Sequence, residues 1–290
     1  MIDPHLALPD LPFDDPPADP ARAAASVRPA DGAATSLGRA FDILGLFSLA
    51  SPLVRVEDVI ARLGYTRSTA YRYVRELCDA GLLTQRSGGS YSLGPRVVEL
   101  ERLLELTDPL YRAARAVLPS VRRDDRQLLV QELYRDDQVM CIYKEGPDEL
   151  EHAGQRLTIK RARGLPFPLF RGAGSLVLLA WLSPPRMRQA YLSGIAHIAQ
   201  AGLGHDWQQF RRALAAVRRR GYAVSRGQLA PVVVGIAVPI LLPEDRRVIG
   251  SLALVTPSAS MPLEQELEHV AQLREASERI AREYANAVRQ

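Results

Sequence analysis

GYTRSTAYRYVRELCDAGLLTQRSGGSYSL, residues 64–93, is the stretch whose reading decides the fold of the first half of this chain. Gly64-Tyr65 makes a short turn and Thr66 is a good N-cap, so a helix starts near Arg67. Ala70, Tyr73, Val74 and Leu77 recur at helical spacing and form its apolar stripe, and Gly81 closes it. Two short β-like runs follow, residues 82–86 and 90–93, around Ser87-Gly88-Gly89, which reads as a hairpin. With the stripe facing inward, Arg67, Ser68, Tyr71, Arg72 and Arg75 face outward. That face carries three arginines and two hydroxyl groups, and no acid before Glu76.

Upstream, Ala40, Ile43, Leu44 and Phe47 predict a first helix, broken at Ser51-Pro52. Val56, Val59, Ile60 and Leu63 predict a second, ended by Gly64. Three short helices followed by a hairpin is the order of a winged helix-turn-helix. Such a domain lays the N-terminal residues of its third helix against base edges in a major groove about 12 Å wide. The predicted DNA-binding set on this helix is Thr66, Arg67, Ser68, Thr69, Tyr71, Arg72 and Arg75. Tyr71 and Arg72 are assigned to bases, and Arg67 and Arg75 are divided between bases and phosphates. The free N–H groups at the Thr66 end favour a phosphate. In the wing, Arg86, Ser87, Gly88 and Gly89 offer one cation and exposed backbone N–H groups to a neighbouring minor groove or backbone. A solvated arginine face on a helical interaction module is the bland alternative, and the adjoining wing weighs against it. Tyr65 and Tyr91 read as packing aromatics.

A chain of 290 residues, 47% hydrophobic and 24% charged, suits a soluble globular protein of two domains. Residues 1–35 hold six aspartates against two arginines and seven of the 21 prolines, with no helical or strand period. They are expected to be disordered. That leader has a net charge of −4 in a chain of +4, so everything after it carries +8. A basic body suits a polyanion without proving one. Lys144 and Lys160 are the only lysines. Arginine is the better fork for phosphate and guanine, although genomic base composition also explains the bias.

Cys78 and Cys141 cannot make a disulfide framework or a zinc site, which points to a reducing cytoplasm. No signal peptide is visible, and the longest apolar run, residues 172–182, is too short for a bilayer that needs about 20 residues. No GxSxG, CxxC, HExxH, P-loop or GxGxxG stands in a suitable context. His5, His152, His197, His205 and His269 are scattered, with His197 and His205 placed in a loop. Cys141 reads as an inert buried thiol, and Glu99, Glu101 and Glu105 as a solvated helix face. The expectation is therefore a protein that is not an enzyme, with no cofactor and no metal.

Residues 94–107 predict an interdomain helix with Pro95 in its first turn, stopped at Asp108-Pro109. Beyond it, residues 128–134 and 139–144 flank Asp136-Asp137 as a hairpin. Residues 173–182 read as a buried helix. Trp207–Arg220 is a helix with Phe210, Leu214 and Val217 on one face and Gly221 after its end. Residues 232–241 and 248–255 are apolar strands, and 263–287 a long amphipathic closing helix. Strands mixed with helices on this scale make an α+β domain with an antiparallel sheet.

From residue 36 to 288 the chain resembles the IclR family of bacterial regulators. Ser36-Leu37-Gly38-Arg39-Ala40 opens the match, and Arg67-Ser68-Thr69-Ala70-Tyr71-Arg72 fills the recognition segment. Tyr91-Ser92-Leu93-Gly94-Pro95-Arg96 is similar to the family's Tyr-x-Leu-Gly run. Farther on, Arg163-Gly164-Leu165-Pro166, Gly221-Tyr222 and Ile236-Ala237-Val238-Pro239 resemble elements of its second domain. The resemblance implies a winged domain at 36–93, a connecting helix at 94–107 and a GAF-like effector-binding domain at 108–290. It also implies dimers through the winged domain and connecting helix, pairing into tetramers through the sensor, on a palindromic operator.

By the same resemblance the effector pocket comprises Phe170, Arg171, Gly172, Ala173, Tyr222, Ser225, Gln228, Gly235, Ile236, Ala253 and Val255. Here the chain departs from the family. Phe170-Arg171-Gly172-Ala173-Gly174-Ser175-Leu176 stands where a His-x-Thr-Ala-x-Gly-Lys stretch is usual. Ser225 and Gln228 replace acidic positions, Gly235 a cysteine, and Ala253 and Val255 two serines. Two readings stand. The pocket takes a larger, more apolar effector, such as an aromatic acid or its derivative, with Ser225, Gln228 or Arg171 as anchors. Otherwise it is collapsed and the domain only assembles the oligomer. Two rivals to the whole reading are a ligand-sensing module that does not grip DNA and a purely structural oligomer.

Overall fold

The computed structural model describes residues 35–135, 138–152, 155–158 and 163–289. The expected disordered leader (but for Thr35) and the Asp136-Asp137 turn lie outside them. The chain divides into two compact units, Met1–Leu106 and Thr107–Gln290.

In the first unit, helix α1 (Ser36–Leu44) is followed by strand β1 (Val54–Arg55), α2 (Val56–Leu63) and α3 (Arg67–Asp79). Strands β2 (Leu83–Gln85) and β3 (Ser90–Leu93) and helix α4 (Pro95–Thr107) complete the series. Ile43, Val59, Ala70, Tyr73, Val74 and Leu77 meet in one core with Val54, Val56 and Leu83, as the stripes predict. The strands pair in the order β1-β3-β2, antiparallel throughout. One expectation is corrected. Helix α1 stops at Leu44 with Gly45 as its C-cap, so Phe47 falls beyond it, and Leu46 is buried instead.

The second unit is built on a six-stranded antiparallel sheet ordered β8-β5-β4-β11-β10-β9. Its strands are β4 (Gln127–Arg135), β5 (Gln138–Glu145), β8 (Pro166–Pro168), β9 (Ala223–Arg226), β10 (Val233–Leu241) and β11 (Val248–Pro257). A separate pair, β6 (Glu149–His152) and β7 (Gln155–Thr158), stands apart from it. Period-2 alternation gives the sheet two faces. Val234, Ile236, Val238, Leu252 and Leu254 pack with α5 (Pro109–Val117) and α9 (Glu266–Val288) in one core. Ala237, Ala253 and Leu129 pack in another, with α6 (Ala173–Ala180), α7 (Pro184–Gln200) and α8 (Trp207–Arg220). Each fully buried Leu or Ile in these layers contributes about 1.5–3 kcal/mol of transfer free energy.

Helix α6 is buried over all eight residues, as its unbroken apolar sequence demands. Helix α8 has the predicted bounds: Asp206 accepts the Gln209 N–H at 2.8 Å, and Gly221 ends the helix at φ 75°. Two helices have no counterpart in the sequence reading. In α5, Asp108 caps the Tyr111 N–H at 2.6 Å and Pro109 opens the first turn. In α7, Pro184-Pro185 reads as a breaker, Gly194 leaves helical geometry, and the buried stripe is narrow, Ala190, Gly194 and Ile198, with only one large apolar side chain to signal it. His197 therefore lies in a helix, not a loop, with its ring stacked 6.4 Å from that of Phe170. Helix α9 starts at Glu266 because Leu263–Gln265 forms a 3-10 turn.

One polar cluster joins the buried Arg126 and His269 to the exposed Asp125. Asp125 holds the buried Arg126 through two contacts of 2.8 Å, and Arg126 Nη1 lies 3.2 Å from His269 Nδ1. Burial, and then the neighbouring guanidinium, lower the His269 pKa; Gln272, Glu268 and Asp125 act in the opposite sense without overcoming them. The unfolded chain then binds the proton more readily, near a pKa of about 6.5. This histidine's contribution to stability is complete above that value and is lost as pH falls below it. Trp181 and Trp207, the only tryptophans, both report on this unit. A urea midpoint followed by their fluorescence should fall between about pH 7.5 and 5.5, and fall less in His269→Gln. Equal falls in both proteins would clear the imidazole of this role.

Candidate DNA interface and effector cavity

The outward face of α3 is set by the inward one. With Ala70, Tyr73, Val74 and Leu77 buried, Arg67, Ser68, Tyr71, Arg72 and Arg75 are exposed, and Thr69 is half-buried. Thr66 caps the helix by accepting the Thr69 N–H at 3.3 Å, and its hydroxyl lies 2.8 Å from Thr69 Oγ1 and 3.2 Å from Ser68 Oγ. Part of the N–H array expected to greet a phosphate is thus already satisfied by the helix's own cap. The Arg67 guanidinium lies 5.7 Å from the Tyr71 ring centroid. Arg72 donates to the Tyr73 hydroxyl at 3.1 Å and sits only loosely by Glu76, at 3.9 Å. These contacts orient the side chains without hiding their charge. In the wing, Arg86, Ser87, Gly88 and Gly89 are all exposed, and Arg86 Nε donates to Ser92 at 2.8 Å. Gly88 and Gly89 take φ of 70° and 72°, the left-handed region that favours glycine. Tyr65 keeps its packing role: its hydroxyl donates to Asp42 at 2.9 Å, and burial first, then that carboxylate, raise its pKa.

The second unit has a cavity where α6 meets the sheet. Its volume is about 40 Å³, enough for two or three waters but not for an aromatic ring. Arg171, Gly172, Ala173, Ser225, Gly235, Ala253 and Val255 of the expected set line it. Gln228 stands at its edge and clamps the entry to α6: Gly172 N–H donates to Gln228 Oε1 at 2.9 Å, and Arg171 donates to the Gln228 carbonyl. Ala173 N–H donates to Ser225 Oγ at 3.1 Å.

Three expected residues lie elsewhere. Ile236 alternates onto the opposite face of the sheet. Tyr222 is on that side too, its hydroxyl donating to Glu266 at 3.2 Å. Phe170 fills the gap left by Gly194, where any Cβ would strike its ring. Four contributors escaped the sequence reading and have chemical interest. Gln131 and Ser175 line the cavity, Ser251 lies beneath α6, and Gly174 packs so closely on Gln131 Oε1 that a Cβ would collide with it. Ser175 Oγ and Ser251 Oγ are buried and have no hydrogen-bond partner among the described residues. The available signal was a serine inside an otherwise largely apolar strand and a glutamine that follows the apolar run Leu128-Leu129-Val130.

Comparison with known proteins assigns both units. Residues 36–87 match the IclR helix-turn-helix domain, and residues 109–282 the C-terminal domain of bacterial IclR transcriptional regulators. The chain belongs to the IclR family. It is 24% identical over 217 residues to the HTH-type transcriptional regulator KipR of Bacillus subtilis, covering 73% of this chain and 82% of that one. With XynR of Escherichia coli the identity is 27% over 225 residues, covering 76% and 85%. An IclR regulator from Alicyclobacillus acidocaldarius superposes with a TM-score of 0.71 at 25% identity, covering 86% of this chain and 98% of that one. An IclR homologue of Microbacterium hydrocarbonoxydans, solved with 4-hydroxybenzoate, gives 0.64 at 25% identity, covering 87% and 100%.

This IclR protein is therefore a transcriptional regulator with a DNA-binding helix-turn-helix and an effector-binding C-terminal domain, and not an enzyme. The Cys141 thiol fits that conclusion, since burial pushes its pKa up to about 12 and keeps it from acting as a nucleophile. No helix among the described residues is long and apolar enough to cross a membrane. Because the Ala173 N–H depends on the Ser225 hydroxyl, Ser225→Ala should destabilise the second unit by about 1–3 kcal/mol, the cost of a buried donor left unpaired. A tryptophan-monitored urea midpoint unchanged from wild type would show that another acceptor takes over.

Proposed function

We propose that this regulator reads a two-fold symmetric operator through α3 and the wing, and that a rather apolar effector, aromatic acids included, controls it from the cavity beside α6. The observation that carries the DNA assignment is the exposed Arg67-Tyr71-Arg72-Arg75 face, free of acids up to Glu76, next to a glycine wing. Tyr71 and Arg72 read bases, while Arg67, Arg75 and Arg86 divide between bases and phosphates. Residues 36–93 form the reading domain, 94–107 the connecting helix and 108–290 the sensor.

A homodimer or tetramer suits the exposed apolar side chains of α1 and α4. Leu37 and Phe41 on the first, and Val98, Leu100 and Leu104 on the second, are each 44–69% exposed in the single chain. Such a surface is what a second copy would cover. An effector that favours one arrangement of the dimer needs a coupling of only about 1–3 kcal/mol to regulate it.

Support for the apolar effector comes from the lining: Leu129, Phe167, Leu229, Val233, Ala253 and Val255 outnumber the polar groups. The Microbacterium homologue's complex with 4-hydroxybenzoate agrees in ligand class. A second reading also has an observation behind it. Ser225 and Gln228 already occupy the first donors of α6, and the room left is about 40 Å³, as a collapsed pocket would show.

Two experiments decide. Purified protein mixed with fragmented genomic DNA should retain a few fragments sharing a symmetric motif, and an Arg67→Ala/Arg72→Ala protein should lose them. On the motif found, Arg72→Ala alone should cost about 1–3 kcal/mol. Retention without any shared motif would defeat the operator reading. Titrating 4-hydroxybenzoate, other aromatic acids and their neutral esters should raise the sensor's melting temperature for at least one of them. The stabilisation is about 2.7 kcal/mol at a hundred times Kd. No shift across that panel would leave the collapsed pocket standing.

A further inference from the structure

The positive charge of this chain is not concentrated where its reading helix is. Residues 163–243 hold ten arginines and one acid, Asp206, a net of +9. The winged domain, residues 36–93, holds seven arginines against five acids, a net of only +2. Since the whole chain is +4, everything outside 163–243 sums to −5.

Much of that surplus lies on one exposed surface. Arg211, Arg212, Arg218, Arg219 and Arg220 of α8 are exposed, opposite the buried Phe210, Leu214 and Val217. Arg211 and Arg218, like Arg212 and Arg219, are two turns apart, so they form parallel rows about 10 Å long. Arg188 of α7 joins them. Its guanidinium is 4.8 Å from the Trp207 ring centroid and that of Arg211 is 5.8 Å from the same ring, so one indole gathers cations from two helices. Arg226, just beyond, is neutralised by Glu266 at 3.0 Å. Among the described residues none of the other six comes within the 4.0 Å of a carboxylate that defines an ion pair.

Two bland explanations fall short. Cations near a helix C-terminus gain about 0.3–1 kcal/mol from the helix dipole, which covers Arg218, Arg219 and Arg220. Arg211 and Arg212 lie toward the other end and gain nothing from it. Base composition raises arginine everywhere, but it does not leave only a single acid in 81 consecutive positions against five in the shorter winged domain.

We propose that the α7–α8 surface is a second, sequence-independent contact for duplex DNA, in which arginine forks hold phosphates while α3 reads bases. Charge complementarity selects this occupant: a dense array of unneutralised guanidiniums is costly beside protein and matched by a phosphate backbone. The inference does not depend on which side chains read the operator.

The test uses the full chain and a duplex lacking any selected motif. Binding should persist in Arg67→Ala/Arg72→Ala and weaken steeply with salt. Adding Arg211→Ala, Arg212→Ala, Arg218→Ala and Arg219→Ala should flatten the plot of log K against log salt by about 2–4, since each lost phosphate contact removes about 0.9. Affinity at moderate salt should fall at least about ten-fold, in line with that slope change. The same four positions changed to lysine should keep most of the slope, which separates charge from folding, and an unchanged tryptophan-monitored urea midpoint should confirm that the alanine protein is intact. An alanine protein with wild-type slope and affinity would overturn the proposal and leave the surface to an acidic protein partner. So would a wild-type protein that fails to hold non-operator duplex at low salt. Loss of motif selection with retained bulk binding would sink only the operator reading.

Discussion

The structure of the sensor rests on how closely α6 lies on the sheet. Gly174 packs on Gln131 Oε1 with no room for a Cβ, a Cβ on Gly235 would lie 3.0 Å from Ser225 Oγ, and Ala237 and Ala253 keep the strands beneath small. Larger side chains at these points would lift the helix away. Because it sits so low, all eight of its residues are buried, and its leading N–H groups cannot turn to water. They must find acceptors inside the protein, and Ser225 and Gln228 supply them. The cavity is what remains between the lowered helix and the small residues below it.

That constraint explains the altered chemistry of this pocket. A helix start with unsatisfied donors is an anion site by nature. Here a hydroxyl from β9 and an amide from the following loop already fill the role, so a carboxylate entering the cavity would compete with the chain's own groups. The unpartnered hydroxyls of Ser175 and Ser251, with Gln131 beside them, are the polarity left unspent. An effector that enlarges the site must displace Ser225 and Gln228 or use this polar floor. Either route couples occupancy to the seat of α6, and α6 packs against β9, β10, β11 and α8. In this pocket the chain's own side chains hold the donors that a ligand would otherwise take.

How much of this was legible in sequence depends on the kind of signal. Helices α3 and α8 have a strong apolar stripe, a side-chain cap at the start and a glycine near the close, so pattern and structure coincide. The wing was legible because two glycines needing positive φ separate two short strands. Helix α7 was not, since proline opens it, glycine bends it and few of its residues are buried. The cavity was half legible. Strand alternation puts Gly235, Ala253 and Val255 on one face and Ile236 on the other, and motif similarity alone does not respect that parity. Gln131 escaped because polar residues in a strand, here with Glu132 beside it, look like an edge position, and only the sheet order shows β4 to be interior, between β5 and β11.

The distribution of charge suggests why reading and gripping are separate in this chain. A recognition helix that also supplied most of the phosphate affinity would bind every sequence tightly, because the backbone term is the same everywhere and discrimination comes from base edges alone. The winged domain avoids this by holding five acids among seven arginines, Glu76 and Asp79 on α3 itself. Its net charge is therefore only +2, which limits the backbone term that mismatched sites would share. Placing the surplus arginines on the second unit restores overall attraction to DNA without loading the reading face. It also puts that attraction on the unit that binds the effector, where any rearrangement of α6 and α8 would move the gripping surface together with the pocket.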